Sequence, residues 1–203
     1  MTVLVIDYHM GNLGSVKRSL EECGAEVLVS DDPKDLKQAE RFVLPGVGAF
    51  KDGMKNLEKH GWAPKIKAAV EDGIPMLGIC LGMQVLGERG YEGGETEGLG
   101  IIPGEVKRLV PEDPGTRIPH VGWNEVYPTL RSELFEAVPP GTDFYFVHSY
   151  QFIPQISESV IATTPYCGSF ASAVGMNRIW GVQFHPEKSG KPGFQILRNF
   201  LKI

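Results

Sequence analysis

The feature that most constrains this chain is the alternation, through its first half, of short β-branched runs with amphipathic stretches. VLVID (3–7) gives way to a glycine-containing turn and then to SVKRSLEEC, which ends at Gly24, a favourable helix stop. EVLVS (26–30) precedes Asp32-Pro33, an N-cap with proline at the first helical position, and RFVL (41–44) runs into the loop PGVGAF. Helical patterning covers much of 51–72, broken at His60-Gly61, before IPMLGIC (74–80) enters LGMQVLGER. This rhythm predicts an α/β fold with an open, mostly parallel central sheet flanked by helices.

After Gly90 the texture changes. A glycine- and glutamate-rich turn, YEGGETEGLG, leads to shorter strand candidates at EVKRLV, NEVYP, FYFVHSYQF, SVIATT, SAVGM and IWGVQF, which predict antiparallel additions in the second half. The closing segment KPGFQILRNFLKI places Phe194, Leu197, Phe200 and Leu201 on one side of a helix. No repeat, linker or low-complexity tract divides residues 1–203, so a single domain is expected.

Charge narrows the partners. A net charge of -5 without a block of like charges leaves no footprint for nucleic acid and no basic face for a membrane surface. No run approaches the roughly 18 apolar residues that span a bilayer. MTVLVID lacks the pattern of a secretion leader, so a soluble, cytoplasmic protein is expected, with small-molecule or protein partners. Cys23, Cys80 and Cys167 are odd in number and far apart, which suits reduced thiols better than disulfides or a zinc ribbon. His9, His60, His120 and His148 lack a close ligand partner in sequence, so neither a metal nor another cofactor is expected.

Chemistry concentrates at Gly78-Ile79-Cys80-Leu81-Gly82. This is the spacing of a nucleophile elbow, in which a reactive residue sits on a sharp strand-to-helix turn and small neighbours relieve crowding. Helix dipoles and free N–H groups would stabilise a thiolate there, with the N–H of Leu81 facing an oxyanion. Taken alone, the same five residues also suit a buried cysteine acting as a small hydrophobe. VQFHPEKSG favours the first reading: in an extended segment His185 and Glu187 would share a side, with Pro186 keeping the backbone from becoming helical. His185 would be the base and Glu187 its orienter. The loop Pro45-Gly46-Val47-Gly48 could bring a second N–H beside Leu81, because parallel sheets gather ligands at the carboxyl ends of their strands. It is also an ordinary strand-to-helix turn, and Lys51 breaks the dinucleotide-binding glycine pattern.

The loop PGVG, the elbow GICLGMQ and the terminal FHPE, in that order, resemble the class I, triad-type glutamine amidotransferases. MGNLGSV preceded by His9, then LPGVGAF, GLGIIPGEV, HVGWNEV, FYFVHSY and FHPEKSG, look more narrowly like the glutaminase subunits of imidazole glycerol phosphate synthases. The resemblance implies that Cys80 attacks the side-chain amide of glutamine, that His185 transfers protons and that Glu187 orients His185. It further implies oxyanion donors at Leu81 and in the Val47-Gly48 segment, and recognition of the amino-acid end of glutamine by Gln84, Glu92, Ser149 and Tyr150. The segment VLGERGYEGGETEG departs from the family pattern, leaving Glu88, Glu92 and Glu95 as alternatives for one contact. A cyclase subunit is the implied partner, approached through Asn12, Trp123 and Lys188, although a Gly-Trp-Asn tryptophan is equally compatible with ordinary core. Another cysteine hydrolase of the same architecture, or a binding module that forms no covalent intermediate, are the competing readings. HPEKSG argues against the first and an intact Cys80, His185 and Glu187 set against the second.

Overall fold

The computed structural model describes residues 1–129 and 132–203. Its first half consists of β1 (Thr2–Ile6), α1 (Leu13–Glu22), β2 (Glu26–Ser30), β3 (Arg41–Gly46), α2 (Phe50–Lys59), α3 (Trp62–Glu71), β4 (Met76–Cys80) and α4 (Leu81–Gln84). Then come β5 (Arg89–Gly90), β6 (Thr96–Glu97), β7 (Gly104–Arg108), β8 (His120–Pro128), β9 (Thr142–His148), β10 (Tyr150–Pro154), β11 (Val160–Thr164), β12 (Phe170–Met176), β13 (Ile179–Val182) and α5 (Gly190–Lys202).

Nine strands form one sheet in the order β2-β1-β3-β4-β13-β12-β11-β8-β9. The block from β2 to β13 is parallel, and the pairings beyond β13 are antiparallel. The last strand in sequence therefore lies in the middle of the sheet. A second sheet, β10-β7-β5-β6, is smaller.

β1 shows why the sequence reads as continuous apolar runs. Val3 and Val5 pack in a core with Val16 and Leu20 of α1 and Ile196 and Phe200 of α5. Leu4 and Ile6 enter the opposite core with Phe50 and Leu57 of α2 and Trp62 and Ile66 of α3. A strand covered on both faces has no position to spare for polar side chains. Each Val, Leu or Ile so buried contributes about 1.5–3 kcal/mol relative to leaving it exposed.

Local departures from the sequence pattern have local causes. Asp32 does cap, accepting the N–H of Lys34 at 2.9 Å, but Pro33–Gln38 closes as a short 3-10 helix because Ala39 is already extended. The break at His60-Gly61 is real, with Gly61 at φ 73° starting α3. In α5 the buried stripe runs through Ile196, Leu197, Phe200 and Leu201, while Phe194 is only half-buried. FYFVHSYQF divides at Ser149: β9 belongs to the large sheet and β10 to the small one, so Phe146 and Phe152 fill different cores. Among the described residues no helix is long and apolar enough to cross a membrane.

Register positions the chemistry. β3 and β13 flank β4 in parallel, Gly46 pairs with Cys80, and Val182 pairs with Ile79. The chain leaving each strand, at Val47, Leu81 and Gln183, therefore emerges at the same end of the sheet, the carboxyl end of these parallel strands.

Candidate active site

Cys80 ends β4 at φ 55°, ψ -109°, a conformation that costs a non-glycine residue of the order of 1–3 kcal/mol. The flanking glycines make this turn possible. A Cβ on Gly78 would lie 2.5 Å from the carbonyl oxygen of Gly82, and one on Gly82 would lie 1.8 Å from that of Leu44. The elbow geometry expected from GICLG is thus present. The helix behind it is shorter than expected: α4 is a single turn, Leu81–Gln84. So short a run aligns few peptide dipoles, and stabilisation of a thiolate must come from individual donors around the sulfur.

His185 influences the sulfur through its charge. Its Nδ1 lies 2.8 Å from Oε1 of Glu187, and both side chains are 2% exposed. The route differs from the extended segment read from sequence. Pro186–Lys188 forms a 3-10 turn, because the fixed φ of proline suits the first helical position, and this turn folds Glu187 back onto the ring. Ser189 pins the turn: its hydroxyl donates to the carbonyl of His185 at 2.6 Å and accepts the N–H of Tyr145 at 3.0 Å. Burial alone would lower the pKa of His185, but interaction with the Cys80 sulfur and Glu187 outweighs it and raises the pKa to about 9. Among the described residues its Nε2 has no hydrogen-bond partner, so it is available to exchange a proton with a reacting group.

A cavity of about 270 Å³ opens on Cys80. Val47, Gly48, Leu81, Gln84, Glu92, Ser149 and Tyr150 all line it, so the oxyanion and substrate-contact residues singled out in the sequence converge there. Among the three candidate glutamates, only Glu92 lines this cavity. Its Oε2 accepts the N–H of Phe50 at 2.8 Å, whereas Glu88 accepts the N–H of Gly104 and Glu95 pairs with Arg89. The N–H of Val47 is given to the carbonyl of Met10 at 3.2 Å. Gly48, at φ 111°, lies beside it.

The partner-contact candidates lie elsewhere. Asn12 caps α1 by accepting the N–H of Ser15 at 3.4 Å. Trp123 is 57% exposed on β8, which rules out a core role. Its indole meets the ring of Tyr145 edge-on at 6.0 Å, and Nζ of Lys188 lies 5.9 Å from the centre of the same ring. Among the described residues no group of three or more His, Cys, Asp or Glu side chains is placed to hold a metal.

The family model described as class-I glutamine amidotransferase matches residues 4–203. The chain belongs to this family. Among similar amidotransferases, the imidazole glycerol phosphate synthase subunit HisH of Moorella thermoacetica is 48% identical over 198 residues, covering 98% of this chain and 93% of the relative. The subunit of the same name from Aquifex aeolicus is 47% identical over 201 residues, covering 98% and 96%. A solved glutamine amidotransferase superposes with a TM-score of 0.77 over 98% of this chain and 97% of its own, at 18% identity, a likeness of fold.

Sequence reasoning missed several residues of the candidate site. Pro119, Val147 and His148 line the cavity, and Gln183 reaches the sulfur of Cys80, its Nε2 3.6 Å from Sγ. His148 belongs to a buried chain whose proton positions can be deduced. Its Nδ1 lies 2.8 Å from the carbonyl of Tyr150, which can only accept, so Nδ1 carries the hydrogen. Nε2 then accepts from Nδ1 of His120 at 3.0 Å, and Nε2 of His120 accepts from the side-chain amide of Asn124 at 3.3 Å. Burial lowers the pKa of His120 to about 4 and that of His148 to about 3. Only the pairing of β8 with β9, which sets His120 opposite His148, reveals this arrangement.

Proposed function

We propose that this chain hydrolyses glutamine to glutamate and ammonia through a cysteinyl thioester, and supplies the ammonia to a cyclase subunit that makes imidazole glycerol phosphate in histidine biosynthesis. The observation that carries the hydrolytic reading is the strained Cys80 opening onto a cavity, beside a buried His185 held by Glu187 at 2.8 Å. In this reading the sulfur of Cys80 adds to the amide carbon of glutamine, and the oxygen takes up the charge toward the N–H groups of Leu81 and Gly48. Protonated His185 gives its proton to the departing nitrogen, so ammonia leaves as the carbon–nitrogen bond breaks. The neutral ring then draws a proton from water, which attacks the thioester and releases glutamate and the thiolate. Glu92, Gln84 and the Ser149–Tyr150 segment provide polar contacts for the amino-acid end. A reducing cytoplasm suits the three free thiols.

Ammonia released into neutral water is mostly protonated and a poor nucleophile, which favours direct delivery to a partner. The outer face of the β8–β9 hairpin suits such a partner. Val121 pairs with Val147 and Trp123 with Tyr145, so their side chains make an apolar patch, and Lys188 adds a charge at its edge. Exposed Asn12 lies at the start of α1. The experiment is coexpression with the cyclase, followed by complex formation and glutaminase assays with and without cyclase ligand. Trp123→Ala should weaken the complex at least tenfold, the loss of a typical anchor residue, and Lys188→Ala should weaken it less. Failure to associate, with no ligand-dependent change in glutamine hydrolysis, overturns the subunit reading; association that tolerates both substitutions overturns only the contact residues.

A further inference from the structure

An apolar strand that continues into the middle of a sheet has little reason to carry an amide. Gln183 follows β13 in the sequence IWGVQF, its residue is 0% exposed, and its backbone N–H is fixed on the carbonyl of Ser172 at 2.9 Å. Burying an amide costs free energy unless each end is hydrogen-bonded. Both ends are. Oε1 accepts from Nε2 of Gln84 at 2.9 Å, and Nε2 faces Sγ of Cys80 at 3.6 Å.

The orientation of these two amides follows from a single backbone oxygen. The carbonyl of Tyr150, 3.0 Å from the end of the Gln84 side chain, can only accept, so Gln84 must present its NH2 there. That same NH2 faces Gln183, which must therefore answer with its oxygen. The nitrogen of Gln183 is then left pointing at the sulfur. A donor fixed in this way among buried groups gains strength as the sulfur gains charge.

We propose that Gln183 acts directly on the nucleophile, donating a hydrogen bond that stabilises the Cys80 thiolate and holds its sulfur toward the cavity, with Gln84 and the Tyr150 carbonyl imposing the direction of that bond. This role rests on Cys80 being the glutaminase nucleophile. It complements His185: the imidazolium changes its protonation during the reaction, whereas the amide does not, so Gln183 steadies the charge each time the thiolate forms. The Tyr150 carbonyl also accepts from His148, so one oxygen joins the support of the nucleophile to the chain that ends at Asn124 on β8.

Gln183→Met keeps the side-chain length and removes the donor, while Gln84 retains its bond to Tyr150. The full chain, alone and with the coexpressed cyclase, is treated with iodoacetamide across a pH series, and alkylation of Cys80 is followed by peptide mass spectrometry. Loss of one hydrogen bond to a charged group corresponds to roughly a ten- to hundredfold effect. The midpoint for Cys80 alkylation should move up by about one pH unit or more, and kcat should fall roughly tenfold or more while KM changes little. Circular dichroism establishes that the variant is folded. Should it fail to fold, Gln183→Glu replaces it and should raise the midpoint further, since a carboxylate beside the sulfur opposes its charge. An unmoved midpoint with unchanged kcat in a folded variant overturns the proposal. An inactive wild-type chain overturns instead the glutaminase reading on which it rests.

Discussion

Nδ1 of His120 lies 3.0 Å from Nε2 of His148, and the bond between them exists only while His148 is neutral. Protonating His148 places two donors face to face. Burial holds His120 near pKa 4 and His148 near 3, against 6.5 for either in the unfolded chain. Between those values the unfolded state binds more protons, so the stability these groups contribute is present above pH 6.5 and is lost as pH falls toward 4. The limiting slope is about 1.4 kcal/mol per pH unit for each proton. Urea denaturation at pH 7, 6 and 5 should show this decline, and His120→Phe should flatten it. An equal slope in the variant would remove the pair as its source.

Cys80→Ala should abolish glutamine hydrolysis while the chain stays folded, since alanine has the same Cβ and meets the same backbone strain. Cys80→Gly should be equally inactive but more stable than the alanine variant, because glycine accepts a positive φ without steric cost. The gain should be about 1 kcal/mol, after allowing for the greater freedom of glycine when unfolded. Thermal melts of the two variants measure the difference, and residual turnover in either would remove Cys80 as nucleophile.

Glu187→Gln should slow turnover by about two to four orders of magnitude, leaving more activity than Cys80→Ala. In the proposed mechanism the acid orients and charges a base but forms no bond to substrate. Removing its charge also takes away one of the influences that raise the pKa of His185, so that pKa should fall, as NMR titration of the ring would report. A loss equal to that of Cys80→Ala, with the ring still in place, would argue for a different role.

The parallel half of the sheet was legible because strands covered on both faces must be apolar throughout, and Gly24 and Gly61 mark helix boundaries with positive φ. The elbow was legible because its glycines answer a contact within a few residues, between Gly78 and Gly82. The far wall of the cavity was not. His148 follows from cross-strand pairing, and Gln183 meets a cysteine 103 positions earlier through the register of β13 on β4. FYFVHSYQF keeps its strand-like composition through Ser149, so nothing in it announces a change of sheet. Trp123 could be placed on the surface only once β8 and β9 were paired and their outer face defined.

The central position of β13 has a consequence for synthesis of the protein. On the ribosome, β4 emerges early, and residues 81–178 must follow before its second parallel neighbour exists. Until then a five-residue strand, buried throughout in the finished fold, has one edge unpaired, the condition that invites aggregation and engagement by chaperones. The segment that finally covers this edge runs straight on into Gln183, His185 and Glu187. Nascent chains that have not reached it carry Cys80 without His185 and Glu187, so in the proposed function the ability to release ammonia arrives together with the closure of the sheet.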